Sequence, residues 1–254
     1  MPTACLRATL RKQMFDLWRI EMHSSRMLVT FVCAAASLVA GCGGGGSDAG
    51  GGTAPTTSFP LQAGYRALIA SGSTNNFTVS GTCLGTATFT AGAATASAFE
   101  SIPGFAVTQT ATVNFTNCSP ATNAVSGTSY YDGSYAPLGS SIPGVEYTKF
   151  LTAPPPLPSS VKVGDTAVIA TLATYTDSTK SVPTGQRVLS YVIEADTANT
   201  VIGNLITKAY NASSQPLFTQ QTRYRIAADG TLTIVSIDIQ YSTTSTTHLV
   251  YTKS

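Results

Sequence analysis

The sequence predicts an all-β protein whose strands form antiparallel meander sheets, arranged as a sandwich or as a curved half-barrel. Three observations support this fold class. Segments rich in β-branched and aromatic residues recur after residue 59, and turn residues separate them. No segment in that region shows a sustained helical period of ten or more residues. The links between successive segments are short, which favours pairing between strands that are neighbours in the chain.

The candidate strands are taken in chain order. In the first half they are Phe77–Val79, Thr86–Thr90, Phe105–Phe115 and Glu146–Leu151. In the second half they are Ala167–Thr176, Arg187–Glu194, Thr200–Tyr210, Thr219–Ala227, Thr231–Tyr241 and His248–Thr252. Apolar and polar residues alternate in the candidate strand Thr231–Tyr241. One face of this strand carries Val235, Ile237, Ile239 and Tyr241. This pattern predicts a sheet with one buried and one wet face.

A proline-rich segment at residues 154–158 divides the folded region and predicts a stiff, extended connector. The region 59–254 is expected to form one β domain, because each half alone would offer a small core. Two subdomains, 59–153 and 159–254, are the alternative.

The chain begins with a leader that has the proportions of a signal peptide. Leu28–Ala40 is a run of thirteen uncharged residues behind Arg26, too short for the ~20 residues of a membrane-spanning helix. It ends in Val39-Ala40-Gly41-Cys42, which resembles the bacterial lipobox. The resemblance implies cleavage before Cys42, acylation of that cysteine and a family of secreted, β-rich lipoproteins. It implies no activity.

The same resemblance carries expectations about processing and location. Residues 1–41 are expected to be removed, and residues 1–21 to be an over-extended start, because Asp16 and Glu21 are atypical of a basic leader. Gly43, in place of Asp, favours the outer membrane. The expected address is therefore the bacterial cell envelope, with the membrane as partner through the lipid anchor.

Residues 42–58 contain the lipidated cysteine and a Gly/Ser/Thr-rich tether with an expected span of about 20–25 Å. The leader holds five of the 14 Lys and Arg and two of the 12 Asp and Glu, so nine positive and ten negative side chains follow it. This balance indicates no nucleic-acid partner.

Two cysteines remain after the leader and Cys42 are set aside. Cys83 and Cys118 are expected to form a disulfide in an oxidising compartment. A metal pair is the alternative, but it needs further ligands, and His248 is the only histidine after the leader. No metal and no cofactor are predicted.

Few residues fit a catalytic role, so no catalytic residue is predicted. A hydrolase would have to use His248 with a carboxylate such as Asp238, or the acidic pair Glu194 and Asp196. No G-x-S-x-G elbow is present to carry a serine nucleophile.

A tyrosine-rich segment, Tyr130, Tyr131, Asp132 and Tyr135, is the candidate contact surface. Its rings could equally cover the core beneath a loop. The sequence therefore predicts a non-enzymatic binding or structural lipoprotein that holds an envelope protein or a hydrophobic ligand. An envelope hydrolase and a lipid carrier with a half-barrel fold are the alternatives.

Overall fold

The structure is a computed structural model that describes residues 57–242 and 247–254, with one helix and thirteen strands in those ranges. The helix is α1 (Leu61–Ser71). The strands of the first half are β1 (Ser73–Gly81), β2 (Gly85–Ala91), β3 (Thr95–Phe99), β4 (Ile102–Phe115), β5 (Thr122–Asp132), β6 (Pro137–Ile142) and β7 (Glu146–Phe150). Those of the second half are β8 (Thr166–Tyr175), β9 (Pro183–Thr197), β10 (Thr200–Asn211), β11 (Pro216–Ala227), β12 (Leu232–Tyr241) and β13 (His248–Lys253).

The predicted antiparallel all-β meander is confirmed, and the sheet closes into a barrel. From β4 to β13 each strand pairs with the next in the chain, and β13 pairs with β1. The ring closes because β2 pairs with both β1 and β4, which makes a barrel of 12 strands. The thirteenth strand, β3, pairs only with the first part of β4 and extends beyond the ring.

Alternation along the strands separates the inside of the barrel from its outer face. In β1, Phe77 and Val79 are buried in the interior, whereas Thr74, Thr78 and Ser80 are exposed outside. The same period of two runs through the other strands, since successive side chains of a strand point to opposite faces. The barrel therefore has an apolar inner face and an outer face rich in threonine and serine.

One predicted alternation is wrong at a single residue. A β-bulge between Arg223 and Tyr224 pairs these residues with Ser236 and Ile234, so Val235 is the extra residue in β12. Ile237 and Ile239 are buried as predicted, but Ile234 takes the inward position expected for Val235. An extra residue shifts the alternation of a strand by one position.

The expectation that no helix follows residue 59 is wrong. Helix α1 buries Leu61, Tyr65 and Ile69 on one face, at the spacing of helical turns. It has no side-chain cap at its start and contains Gly64, so the usual start signals are absent. Gly72, with φ of 69°, ends it.

Helix α1 lies across one end of the barrel, which is called the helix end here. Gly64 packs against Gly230 in the β11–β12 turn, and the amide of Ala94 donates to the carbonyl of Ala70 on the opposite side. The opposite end carries the Cys83–Cys118 disulfide, which links the β1–β2 and β4–β5 connections. The predicted pairing of these two cysteines is thus present.

The proline-rich segment 154–158 connects β7 to β8, and these two strands pair with each other from Tyr147 and Tyr175 to Phe150 and Leu172. Strands from both sides of the connector thus belong to one sheet. The described part of the chain contains no helix with the length and apolar character that a membrane crossing requires.

Candidate functional site

A cavity of about 800 Å³ lies between helix α1 and the inner wall of the barrel. The wall of the cavity comes from strands on several sides of the ring. Besides the helix, these are β1, β2, β4, β5 and β10 to β13. The helix therefore roofs a chamber inside the helix end of the barrel.

The wall is predominantly apolar and aromatic. On the helix side Tyr65 and Ile69 are buried and pack against Val107 and Tyr131. The remaining apolar side chains that line the cavity are Leu68, Phe89, Leu205, Tyr224, Leu232 and Ile234. Such a surface gains free energy by burying apolar groups of a ligand.

The cavity opens beside the helix. The exposed residues Ala63 and Ala67 form the helical side of this mouth, and Thr231 and Lys253 lie on the barrel side. Within residues 57–242 and 247–254, Lys253 belongs to no ion pair. The mouth is therefore more polar than the chamber behind it.

Asp229 also lies at the mouth, in the β11–β12 turn. Its carboxylate accepts a hydrogen bond from the amide of Thr231 at 2.8 Å. This bond lowers the pKa of Asp229 below its usual value. The carboxylate is therefore ionised at neutral pH and holds the turn against which helix α1 packs.

Several polar side chains also line the cavity, and two of them, on β4 and β11, are each held by a polar neighbour. Gln109 of β4 accepts a hydrogen bond at Oε1 from the hydroxyl of Ser129, at 3.1 Å. Thr222 of β11 accepts one at Oγ1 from Nε2 of Gln220, also at 3.1 Å. Both Gln109 and Thr222 line the cavity.

The tyrosine-rich segment predicted as a contact surface is divided between the two faces of the barrel. Tyr131 points inward and lines the cavity, whereas Tyr130 lies on the outer face against Phe99, with 4.7 Å between ring centroids. Tyr135 stacks on Phe105 at 4.6 Å. Only one of these three rings therefore faces the main cavity.

Asp132 and Tyr135 of this segment also have structural contacts with the chain around them. Asp132 ends β5 and accepts hydrogen bonds from the amides of Ser134 and Ala136, so its carboxylate shapes the turn to β6. The guanidinium of Arg66 lies 5.4 Å from the ring centroid of Tyr135, which joins the helix to this turn. The segment thus supports the roof of the cavity.

The residues considered for hydrolysis lie on the outer face, away from the cavity. His248 Nε2 is 3.0 Å from Asp238 Oδ1, so the structure brings this pair together. Among the described residues, no serine or threonine hydroxyl contacts the imidazole ring. The pair thus has a histidine and a carboxylate, with no nucleophile beside them in the part of the chain that the structure describes.

Each carboxylate of the acidic pair forms an ion pair with an arginine. Glu194 accepts two hydrogen bonds from Arg223, at 2.8 and 3.1 Å, and Asp196 accepts two from Arg225, at 2.6 and 3.2 Å. The bonds from Arg225 lower the pKa of Asp196. Both carboxylates therefore serve as ion-pair partners that link β9 to β11 across the intervening strand β10.

Cys42, the predicted lipidation site, lies outside the described residues, as do residues 1–41 and most of the tether. Among the residues that the structure covers, no three histidine, cysteine, aspartate or glutamate side chains cluster closely enough to hold a metal ion.

Comparison with known proteins finds no family model, no curated protein and no solved structure that matches this chain. The site therefore has to be interpreted from its own geometry. The cavity could not be predicted from the sequence, because most of its wall residues have the pattern of ordinary core residues. The one available signal was the helical spacing of Leu61, Tyr65 and Ile69 just before the first strand.

Proposed function

We propose that this protein is a non-enzymatic binding module that holds an apolar small molecule in the cavity under helix α1. The observation that supports this proposal is a chamber of about 800 Å³ inside a closed barrel. Small-molecule sites have volumes of about 300–1,000 Å³, and most of their lining is apolar with a few placed polar groups. The wall described above has this composition.

The size of the cavity argues against a packing defect. Protein interiors are packed densely, and voids larger than a water molecule are few. The rest of the barrel follows this rule, since Phe77, Val79 and Tyr251 fill the interior beside the cavity with at most 2% of their surface exposed. Water can enter this chamber through its mouth, but the apolar part of its wall then stays wet, and a ligand that covers it gains free energy.

The proposal extends to the membrane anchor. With lipid on Cys42, the tether 43–58 would hold the barrel within about 20–25 Å of the bacterial outer membrane. The chain enters the barrel at the helix end, where Pro60 packs against Gly230 beside the cavity mouth. This arrangement favours a ligand that comes from the membrane itself.

A binding experiment tests the first part of the proposal. N-phenyl-1-naphthylamine is a neutral, apolar dye that fluoresces in apolar surroundings, and residues 59–254 should bind it with one site per chain. Leu205→Trp places a larger ring in the cavity and should weaken binding at least about tenfold, because ligand and indole compete for one volume.

Thr88→Trp is the matched control, since Thr88 lies exposed on the outer face of β2. It should leave dye binding unchanged. If Leu205→Trp folds with an unchanged circular dichroism spectrum and still binds the dye like the parent protein, the cavity is not the binding site. Absence of any saturable dye binding would overturn the proposal as a whole.

The lipid anchor has a separate test. Full-length protein expressed in a bacterium should partition with the membrane fraction, and Cys42→Ser should release it into the soluble envelope fraction. The wild-type protein should also carry the mass of attached acyl chains. If Cys42→Ser partitions between the fractions like the wild-type protein, the predicted lipid anchor is wrong. The proposal for the cavity is not affected by that result.

The hydrolase alternative has one favourable observation, which is the hydrogen bond between His248 and Asp238. A screen with acyl ester and peptide substrates would test it. Any activity that disappears in His248→Ala but persists in Glu194→Gln would favour this pair as catalytic. Activity that survives both substitutions would exclude these residues.

A further inference from the structure

Among the polar side chains that line the cavity, Gln109 and Thr222 each keep a hydrogen-bond donor for which the described residues supply no acceptor. The hydroxyl of Ser129 donates to Oε1 of Gln109, which leaves the Nε2 amide of Gln109 for another partner. The hydroxyl of Thr222 accepts from Gln220 and so retains its own proton. Both side chains line the cavity.

The two neighbours also fix the orientation of these donors. Because Ser129 donates to the oxygen of the Gln109 amide, the amide turns its nitrogen away from Ser129. Because Gln220 donates to Oγ1 of Thr222, the threonine proton has to point elsewhere. Each polar group therefore acts toward the cavity as a donor.

The donors lie far apart on the ring. Gln109 is on β4 and Thr222 is on β11, five strands apart in one direction and seven in the other. They therefore approach a bound molecule from nearly opposite walls. A single oxygen atom cannot satisfy both, whereas two separated oxygens can.

An apolar ligand without oxygens would cover both donors and remove the water that solvates them. A buried donor without a partner costs free energy, whereas a ligand oxygen in the same place restores the hydrogen bond. We infer that the ligand combines an apolar chain with at least two separated oxygen acceptors, as in an acyl ester of glycerol. This inference rests on the proposed function and names the ligand class for the same cavity.

Competition between two probes tests the inference. N-phenyl-1-naphthylamine contains no oxygen, and 1-monododecanoylglycerol carries an ester and two hydroxyl groups. The affinity of the dye is measured directly, and that of the acylglycerol by displacement of the dye. Gln109→Met and Thr222→Val should each weaken the acylglycerol about 2- to 10-fold while the dye changes less than about twofold.

Thr222→Ser keeps the hydroxyl and is the matched control, so its affinity for the acylglycerol should stay near that of the parent protein. Melting temperatures of all variants separate a loss of fold from a loss of contact. Equal weakening of both probes, or unchanged affinity for the acylglycerol in both variants, would overturn the ligand class. If the parent protein shows no saturable binding of the dye, the proposed function itself is overturned.

Discussion

Arg187 and Glu146 form an ion pair inside the barrel, with 2.7 Å between Nη2 and Oε2. The side chain of Arg187 is only 4% exposed, and its guanidinium also lies 5.6 Å from the ring centroid of Phe218. Arg187 Nη1 and Glu146 Oε1 have no hydrogen-bond partner among the described residues. A charged pair therefore sits inside the barrel among apolar and neutral polar side chains, toward the end opposite helix α1.

This pair should show strong coupling in a double-mutant cycle. Arg187→Leu or Glu146→Leu alone leaves one charge buried without its partner and should lower the free energy of unfolding by about 3 kcal/mol. Removing both charges together should cost less than the sum of the single substitutions, since no uncompensated charge remains. Urea unfolding followed by circular dichroism measures all four proteins.

The matched comparison is the exposed pair Arg223 and Glu194 on the outer face, whose side chains are 45% and 32% exposed. The same cycle there should give a coupling energy of at most about 1 kcal/mol, because solvent screens the charges. Equal coupling energies for the two pairs would show that burial does not strengthen the interaction between Arg187 and Glu146.

The Glu100 carboxylate fastens the β3–β4 hairpin to the outer face of the barrel. It accepts hydrogen bonds from Lys149, Lys180 and the hydroxyl of Tyr147. Burial alone would raise the pKa of Glu100, but these three hydrogen bonds outweigh it and lower the pKa to about 2. In the unfolded chain the same group has its ordinary pKa of 4.5.

A depressed pKa in the folded state stabilises the protein at pH values above the unfolded pKa. The contribution of Glu100 should therefore be complete above about pH 5 and should vanish as the pH falls from 4.5 toward 2. Glu100→Gln should lower the free energy of unfolding at pH 7 by about 1–2 kcal/mol, since both lysines are partly exposed and solvent screens them.

Chemical unfolding at a series of pH values checks this dependence. The difference between Glu100→Gln and the parent protein should shrink steadily between pH 4.5 and pH 2. A difference that stays constant across this interval would show that the carboxylate contributes through its shape and not through its charge.

The long strands could be predicted because their inner positions are apolar. Strands β8 to β13 alternate Leu, Ile, Val and aromatic residues with polar ones, and all were predicted from the sequence. Strands β5 and β6 were missed, because Gly127, Ser129 and Ser140 occupy inward positions there. Small polar residues leave no hydrophobic alternation for a sequence pattern to detect.

Closure of the barrel and the cavity depend on contacts that no local pattern encodes. The ring closes through the pairing of β2 with β4, which skips β3, so neighbour-to-neighbour reasoning predicts an open half-barrel instead. Gln109 and Thr222 were not candidates either, since each lies between other polar residues of its strand and does not stand out from them. Their role depends on which cavity they face.

The disulfide between Cys83 and Cys118 should stabilise the fold without affecting the cavity. It closes a loop with a sequence separation of 35 residues, and the chain-entropy account assigns about 4 kcal/mol to such a loop. Both cysteines lie at the end of the barrel opposite helix α1. The double variant Cys83→Ala, Cys118→Ala should therefore melt at a lower temperature.

Its affinity for N-phenyl-1-naphthylamine, measured well below the melting temperature, should equal that of the parent protein. A parallel loss of affinity would mean that the two ends of the barrel are coupled. The single variant Cys118→Ala, which leaves Cys83 as a free thiol, separates loss of the covalent link from the effect of replacing both side chains.

Gly64 sets how closely helix α1 sits on the barrel. A Cβ at this position would lie 1.9 Å from the carbonyl oxygen of Gly230 and 2.3 Å from Cδ1 of Leu232. Gly64→Ala should favour the helix intrinsically by about 1 kcal/mol, yet the backbone overlap forces the helix away from the β11–β12 turn. We expect net destabilisation of about 1–3 kcal/mol and weaker binding of the dye, because the roof of the cavity is displaced.

Ala70→Gly is the matched control, because Ala70 is exposed on the same helix and does not line the cavity. It should cost about 1 kcal/mol of helix stability through backbone entropy without moving the helix on the barrel. Affinity for the dye should therefore fall in Gly64→Ala and change little in Ala70→Gly, even where their melting temperatures are similar. If the two variants lose affinity equally, helical stability governs binding, and the close contact between Gly64 and Gly230 does not.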